Sequence, residues 1–385
     1  MISSKSSHIR CTAQIFNGKV AVVYQKPLPE TISGLTDEQA HELVRSAKAK
    51  LGNSTIVLGH HYQRDEIITH SDQTGDSLKL ARIARDCDAK NIIFCGVHFM
   101  AETADILTNG SRFVSLPDLG AGCDMADMAA SRDVEDAWKD VTSSGFNKII
   151  PVTYVNSSAA LKAFVGRNGG VICTSSNARA VVSWALEHGR HVFFFPDQHL
   201  GRNIGKALGL DVSKDMLLWD PIKPFGGHDA GTLQSKKIWL WKGHCPVHAL
   251  FTVHQVKKIR SQAPETKILV HPECAMEIVD ASDLSGSTDF IINTVNSSPA
   301  GSKWAIGTEK HLVERLAKHN PDKTISSLNP FTCLCSTMNR ISIRSLAWVL
   351  DGLASKNELR NKISVNPAIA QDAMSALTRM FELSQ

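Results

Sequence analysis

The sequence predicts an α/β protein made of three αβα sandwich domains of repeated design, with parallel sheets around a central metal site. Apolar runs of strand length recur along the 385 residues and alternate with helical segments, a pattern that forces parallel sheets covered on both faces. Three runs end in polar, chemically capable residues: Thr55-Ile-Val-Leu-Gly-His-His61, Lys148-Ile-Ile-Pro-Val-Thr-Tyr-Val-Asn156 and Lys267-Ile-Leu-Val-His-Pro-Glu273. Each stretch that they open closes on cysteine in a tight glycine or proline setting: Cys123, Cys245 and the pair Cys333/Cys335. One cysteine per repeat points to a shared three-thiolate centre at the strand carboxyl ends, where α/β sheets bind ligands.

The first repeat, residues 36–125, reads as strand 54–58, amphipathic helix 77–85, strand 91–97, helix 101–107 and strand 112–116 before Cys123. The second, 126–247, runs through strand 148–155, helix 158–165, strand 171–173, helix 178–188 and strand 191–195. Residues 211–235, rich in proline and glycine around Asp220-Pro-Ile-Lys-Pro-Phe-Gly-Gly-His-Asp229, read as a polar surface insertion before strand 237–241 and Cys245. The third, 248–340, starts at strand 267–270. Helix 275–281, a helix opened by Gly286-Ser-Thr288, strand 303–307, helix 309–319 and the segment 324–328 then lead to Cys333. Residues 341–385 read as a C-terminal helical segment packing on the fold, and Met1–Arg10 as a frayed polar tail.

Composition excludes several classes of function. The 43% hydrophobic content is ample for buried cores. No apolar stretch approaches the roughly 20 residues that span a bilayer, and the N-terminus lacks the apolar core of a secretory signal, so no membrane role is expected. The net charge of +4 is spread along the chain without a basic run, which leaves nucleic-acid binding unsupported and favours small anionic substrates. Nine cysteines without a regular framework place the chain in a reducing, cytoplasmic compartment, where thiols serve metals or catalysis.

The cysteine spacing is neither that of a zinc finger nor the tight run of a ferredoxin. The contexts are distinctive instead: Ala121-Gly122-Cys123-Asp124, Gly243-His244-Cys245-Pro246-Val247-His248 and Thr332-Cys333-Leu334-Cys335-Ser336. Glycine there allows close approach of the backbone to a bulky cluster. Cys87, Cys95 and Cys173 sit in or beside apolar runs and read as packing residues. Cys274, next to Glu273, stays open between packing and proximity to the site.

A series of motifs then carries a family resemblance. Gly59-His-His-Tyr-Gln63, Gly75-Asp-Ser-Leu78, Phe99-Met-Ala-Glu-Thr103, Pro117-Asp-Leu-Gly-Ala-Gly-Cys123, Thr153-Tyr-Val-Asn156, Thr174-Ser-Ser-Asn177, His199-Leu-Gly-Arg202, Gly243-His-Cys-Pro-Val-His248, His271-Pro-Glu273, Gly286-Ser-Thr288 and Cys335-Ser-Thr-Met-Asn339 resemble, in order, the quinolinate synthase family. The resemblance implies three pseudo-threefold-related αβα sandwich domains around a central 4Fe-4S cluster, one per chain. It also implies condensation of iminoaspartate with dihydroxyacetone phosphate to quinolinate, phosphate and water, for NAD synthesis, with functional coupling to L-aspartate oxidase. By motif the ligands carry over to Cys123, Cys245 and Cys335, which leaves Cys333 spare. Some members carry a Cys-x-x-Cys-x-x-Cys run near the C-terminus; this chain has only Cys333-Leu-Cys335, which puts a thiol redox switch in doubt.

Such a reaction moves several protons, and His60, Tyr62 and Tyr154 at strand ends, with His271 and Glu273, supply acids and bases at matching family positions. Glu273 and His271 are expected to transfer protons and Tyr62 to serve ring formation. His248 is placed to reach the open-iron ligand or to donate to a cluster sulfur. Ser77, Asn156, Ser175, Ser287 and Thr288 are expected to bind substrate anions at helix starts, where such residues otherwise only cap. His98 and His199 read as structural histidines between domains, and His61, Arg202 and Asp118 carry no firm role. Rival readings are another open-iron hydro-lyase, a non-enzymatic iron–sulfur redox sensor, and a zinc hydrolase using Cys245, His248 and His271 with Glu273 as base.

Overall fold

Short, β-rich runs buried on both faces build the sheets. The computed structural model describes residues 11–16, 19–331 and 333–384, so the expected tail 1–10 lies outside the described residues. Strands β1 (Cys11–Phe16) and β2 (Lys19–Tyr24) form an antiparallel pair. The first large sheet holds β3 (Thr55–His60), β4 (Gln73–Gly75), β5 (Asn91–Cys95) and β6 (Phe113–Ser115), in the order β6-β5-β3-β4. The second holds β7 (Ile149–Tyr154), β8 (Val171–Cys173), β9 (His191–Phe195), β10 (Met216–Trp219) and β11 (Ile238–Trp241), in the order β10-β11-β9-β7-β8. The third holds β12 (Lys267–Val270), β13 (Leu284–Ser285), β14 (Lys303–Gly307) and β15 (Thr324–Ser327), in the order β13-β12-β14-β15. All pairings in these sheets are parallel except the short β16 (Lys362–Ile363), which adds antiparallel to β6.

Counted within each unit, the four shared strands lie in one spatial order, fourth-third-first-second. The first strand starts beside the start of the third in every case: Thr55 opposite Asn91, Ile149 opposite His191 and Lys267 opposite Trp304. The expected repeated α/β design is therefore present at the level of topology. The stretch 211–235 is not a surface excursion throughout. It is an addition to the repeat, but it supplies β10, parallel to β11 at the sheet edge, and buries Met216, Leu217 and Trp219. Trp219 is drawn in by the rings of Phe193 and Trp239, at centroid distances of 4.9 and 6.1 Å.

Helices cover both faces of the sheets. They are α1 (Asp37–Leu51), α2 (Ser77–Asp86), α3 (His98–Leu107), α4 (Ser131–Ser143), α5 (Ala159–Arg167), α6 (Ala178–His188), α7 (Gln198–Ala207), α8 (Val253–Gln262), α9 (Met276–Ala281), α10 (Thr288–Ser297), α11 (Lys310–His319), α12 (Ile343–Lys356) and α13 (Pro367–Glu382). The third unit shows the layering plainly. Ile268 and Val270 of β12 pack with Ile278 on one face, while Leu269 packs with Ile291 and Leu312 on the other. Alternate side chains of one strand thus feed two cores. Among the described residues no helix is long and apolar enough to cross a membrane.

Candidate active site

Each first strand ends by pushing its last side chains out of the sheet at its carboxyl end, and these ends carry the reactive groups. His60 and Tyr62 lie at the end of β3 and just past it, Tyr154 ends β7, and His271 and Glu273 follow β12. Two of these ends share a local device. The Tyr62 amide donates to His60 Nδ1 at 3.1 Å, and the Glu273 amide to His271 Nδ1 at 3.4 Å. An Nδ1 that accepts leaves the ring proton of a neutral histidine on Nε2.

The three ends meet. Tyr154 Oη donates to Glu273 Oε1 at 2.6 Å, and Glu273 Oε2 lies 2.8 Å from His248 Nδ1. That second contact lies off the axis of a directed hydrogen bond, and His248 Nδ1 has no aligned partner. His248 Nε2 in turn is 3.2 Å from Thr308 Oγ1, which is 2.7 Å from Tyr62 Oη. A polar chain therefore runs Tyr62, Thr308, His248, Glu273, Tyr154 and draws on all three sheets. The His248 and His271 rings stack, with centroids 4.6 Å apart.

Burial dominates the electrostatics. It pushes His60 down to about 3, reinforced by His61, and pushes His271 down to about 3 against the pull of Glu273. Both rings are neutral near pH 7. Burial and the Glu273 charge push Tyr62 and Tyr154 well above the ordinary phenol value, so both hydroxyls keep their protons. Burial also opposes ionisation of Glu273. His271, His248 and the Tyr154 hydroxyl outweigh it and hold this carboxyl below the usual carboxylate range.

Cys123, Cys245 and Cys335, from the loops that follow the three sheets, line one cavity of about 260 Å³ together with His60, Tyr62, Tyr154, His271 and Glu273. Burial raises each thiol above its ordinary value, and the neighbouring thiols and Glu273 add to the shift at Cys123 and Cys245. Three thiols crowded together without a cation resist ionisation, and a soft, positively charged group is what reverses that. Cys333 is 1% exposed and packs in the core of the third unit with Cys274, so both sit apart from the cavity wall. Cys95 and Cys173 are likewise buried in the main core, whereas Cys87 is half-buried and accepts from Arg112 Nη1 at 2.9 Å. The donor atoms of Cys245, His248 and Glu273 lie within 4.8 Å of one another, close enough to hold a single metal ion.

Of the residues expected at helix starts, Ser77, Asn156, Ser175 and Thr288 line the cavity. Asn156 Oδ1 is buried there without a partner, an acceptor left for a ligand. Ser287 instead caps α10, its Oγ accepting from the Phe290 amide at 3.3 Å. His61 pairs with Asp289 at 2.8 Å, Asp118 with Arg340 at 3.2 Å, and His199 with Arg202 at 3.4 Å. His98 lies 3.7 Å from Glu102 in the wall toward the second unit. Sequence reasoning missed Thr308, although it stands just past the carboxyl end of β14, where the other strand-end residues were sought. It also missed the apolar wall of Val97, Phe99, Met100 and Met125.

Comparison with known proteins agrees with this arrangement of motifs. The family profile described as "NadA: Quinolinate synthetase A protein" matches residues 42–382. The quinolinate synthase of Corynebacterium glutamicum is 52% identical over 361 residues, covering 93% of this chain and 91% of that protein. A quinolinate synthase of Bacillus cereus is 50% identical over 356 residues, covering 92% of this chain and 96% of that protein.

Proposed function

The chain belongs to the quinolinate synthetase A protein family, and on that premise we propose that it is a cytoplasmic enzyme of NAD biosynthesis, a transferase. It condenses iminoaspartate with dihydroxyacetone phosphate to give quinolinate, phosphate and water, in functional coupling to L-aspartate oxidase. The observation that carries this reading is the convergence of Cys123, Cys245 and Cys335 on a single cavity also lined by Glu273, His271, His60 and two protonated tyrosines. The units 36–125, 126–247 and 248–340, closed by 341–385, are the proposed domains, each giving one thiol.

The donor set fits a 4Fe-4S cluster held by these three cysteines, because no fourth thiol lines the cavity among the described residues. When bound, such a cluster offers an open iron as a Lewis acid toward a substrate oxygen or nitrogen. The protein groups account for binding and proton transfer. Glu273, held ionised, is the base within reach of a substrate C–H or N–H, and Tyr154 Oη, hydrogen-bonded to it, orients the carboxylate. His271 and His60 are neutral, with Nε2–H free to donate to developing oxyanions. Tyr62, protonated and held by Thr308, serves as the acid of the ring-forming steps. Thr308, bonded to the Tyr62 hydroxyl and facing His248 Nε2, orients the acid and the ring that stands beside Glu273. Ser77, Ser175 and Thr288, beside Asn156, take the carboxylates and phosphate at helix N-termini, with Ser287 capping the helix that presents Thr288.

A single-ion site at Cys245, His248 and Glu273 is the reading that competes most directly, on the strength of the 4.8 Å grouping. Anaerobic purification with iron, sulfide and zinc counted, followed by assay of quinolinate from the two substrates, separates them. Four irons and quinolinate formation are expected, with iron lost in Cys335→Ala and kept in Cys333→Ala. One zinc per chain and no quinolinate would replace this reading with the hydrolase, and four irons without quinolinate would replace it with another open-iron hydro-lyase or a sensor.

A further inference from the structure

The loops that carry the reactive groups are held from outside their own repeat. Asn203 lies on α7, the helix that follows the third shared strand of the second sheet. Its Nδ2 donates to the carbonyls of Pro272 at 2.9 Å and Cys274 at 2.8 Å, the two peptide groups that flank Glu273 in the third repeat. Arg315 lies on α11, the corresponding helix of the third repeat. It donates to the carbonyls of His61 and Gln63, the latter at 3.0 Å, and these flank Tyr62 in the first repeat. Its Nη1 also reaches Asp65 Oδ1 at 2.9 Å.

The two arrangements correspond group for group. In each, a buried side chain on the helix after the third shared strand of one repeat spans carbonyls i−1 and i+1 around the third residue of a His-x-Tyr or His-x-Glu strand end in the next. The first repeat meets the second differently, at the start of α5 rather than around a strand-end residue. Glu102 on α3 accepts from the Ala159 amide of the second repeat at 3.0 Å, and the buried Lys162 beside it donates to the Ser157 carbonyl, next to Asn156.

We propose that Asn203 and Arg315 are positioning residues that form two successive clamps. Each fixes the reactive strand end of the following repeat, so that Tyr62 and Glu273 are held in mutual geometry by the chain itself. Neither Asn203 nor Arg315 lines the cavity, so both act through the loops they hold. The two carbonyls on either side of a reactive residue are the points from which its backbone can pivot. A planar donor that spans both therefore restricts rotation more than one hydrogen bond elsewhere in the loop.

Hydrogen–deuterium exchange on the full chain tests this. Asn203→Ala is expected to speed amide exchange over residues 271–276 by about tenfold while residues 60–66 stay protected. Arg315→Lys is expected to do the reverse, because lysine keeps the charge but cannot span two carbonyls. In each case the loosened segment belongs to a different repeat from the substitution, which simple damage to the substituted helix would not produce. Should Asn203→Ala fail to fold, Asn203→Gln, which keeps the amide but displaces it by one methylene, reads the same segment. Loop exchange within about twofold of the parent in both variants overturns the proposal.

The kinetic arm rests on the quinolinate synthase reading. Both variants are expected to lose about tenfold or more in kcat with KM shifted by less than about threefold, because misplaced groups slow chemistry more than binding. Faster loop exchange with unaltered kcat would overturn the positioning role. A parent protein that makes no quinolinate overturns the functional reading instead, and the exchange measurement then decides the clamps by itself.

Discussion

His60 shows how much a single side chain reports. It sits at a strand end, is 5% exposed, and has its Nδ1 already committed to the Tyr62 amide. Burial therefore keeps it neutral down to about 3, whereas the same ring in the unfolded chain takes up a proton near its ordinary 6.5. Between these two values the unfolded state binds more protons, so stability is fully present above 6.5 and is lost as pH falls toward 3. Urea unfolding across this window is expected to show the parent losing up to about 1.4 kcal/mol per pH unit more than His60→Asn. Coincident slopes would mean that the ring is not buried as a neutral group. The chemical candidacy of His60, Tyr62, Tyr154, His271 and Glu273 was legible from their place after apolar runs. The protonation states were not, because they follow from burial by residues distant in the chain.

At the scale of elements, periodicity located the longer sheet strands of all three units but not the short β4, β10, β13 and β16, and helices α1, α4, α7 and α8 also lie outside the expected set. The signal for two of them was present. Thr36 and Gln39 form a reciprocal capping box at α1, as do Thr252 and Gln255 at α8, and Thr-x-x-Gln before a helix is readable from sequence. The stretch 211–235 was misread for a different reason: its prolines and glycines mask the short run Met216–Trp219, whose partner β11 lies beyond the turn. Gly226 belongs to that turn through its φ of 67°, and a Cβ there would meet the Trp219 ring at 2.5 Å. Trp219→Ala is expected to cost about 3–5 kcal/mol, read as a lowered urea midpoint with unchanged slope. A cost near that of a surface substitution, below about 0.5 kcal/mol, would restore the view of this stretch as peripheral.

At the scale of the molecule, the C-terminal segment joins what the repeats leave separate. Helix α12 packs on α1, β16 extends the first sheet, and α13 lies along α5 and β8 of the second unit. The chain end is tied to both units, since Arg82 donates to the Ser384 carbonyl at 2.8 Å and Asn177 to Ser384 Oγ at 2.7 Å. Where α5 and α13 touch, Gly166 is the contact: a Cβ there would fall 1.9 Å from the Asp372 carbonyl oxygen. Gly166→Ala is expected to push the helices apart and cost about 1–3 kcal/mol, read as a lower melting temperature. An unchanged melting temperature would show that α13 is not seated on α5. By itself the sequence determined the α/β class, the longer strands and their reactive ends, and the cysteines in glycine and proline settings, because periodicity and turn chemistry are local properties. Tertiary structure alone decided that Thr308 joins Tyr62 to His248 and that Asn203 and Arg315 hold loops of other repeats. Tyr62 and Thr308 are 246 residues apart, and no local pattern encodes a contact that only the packing of three sheets creates.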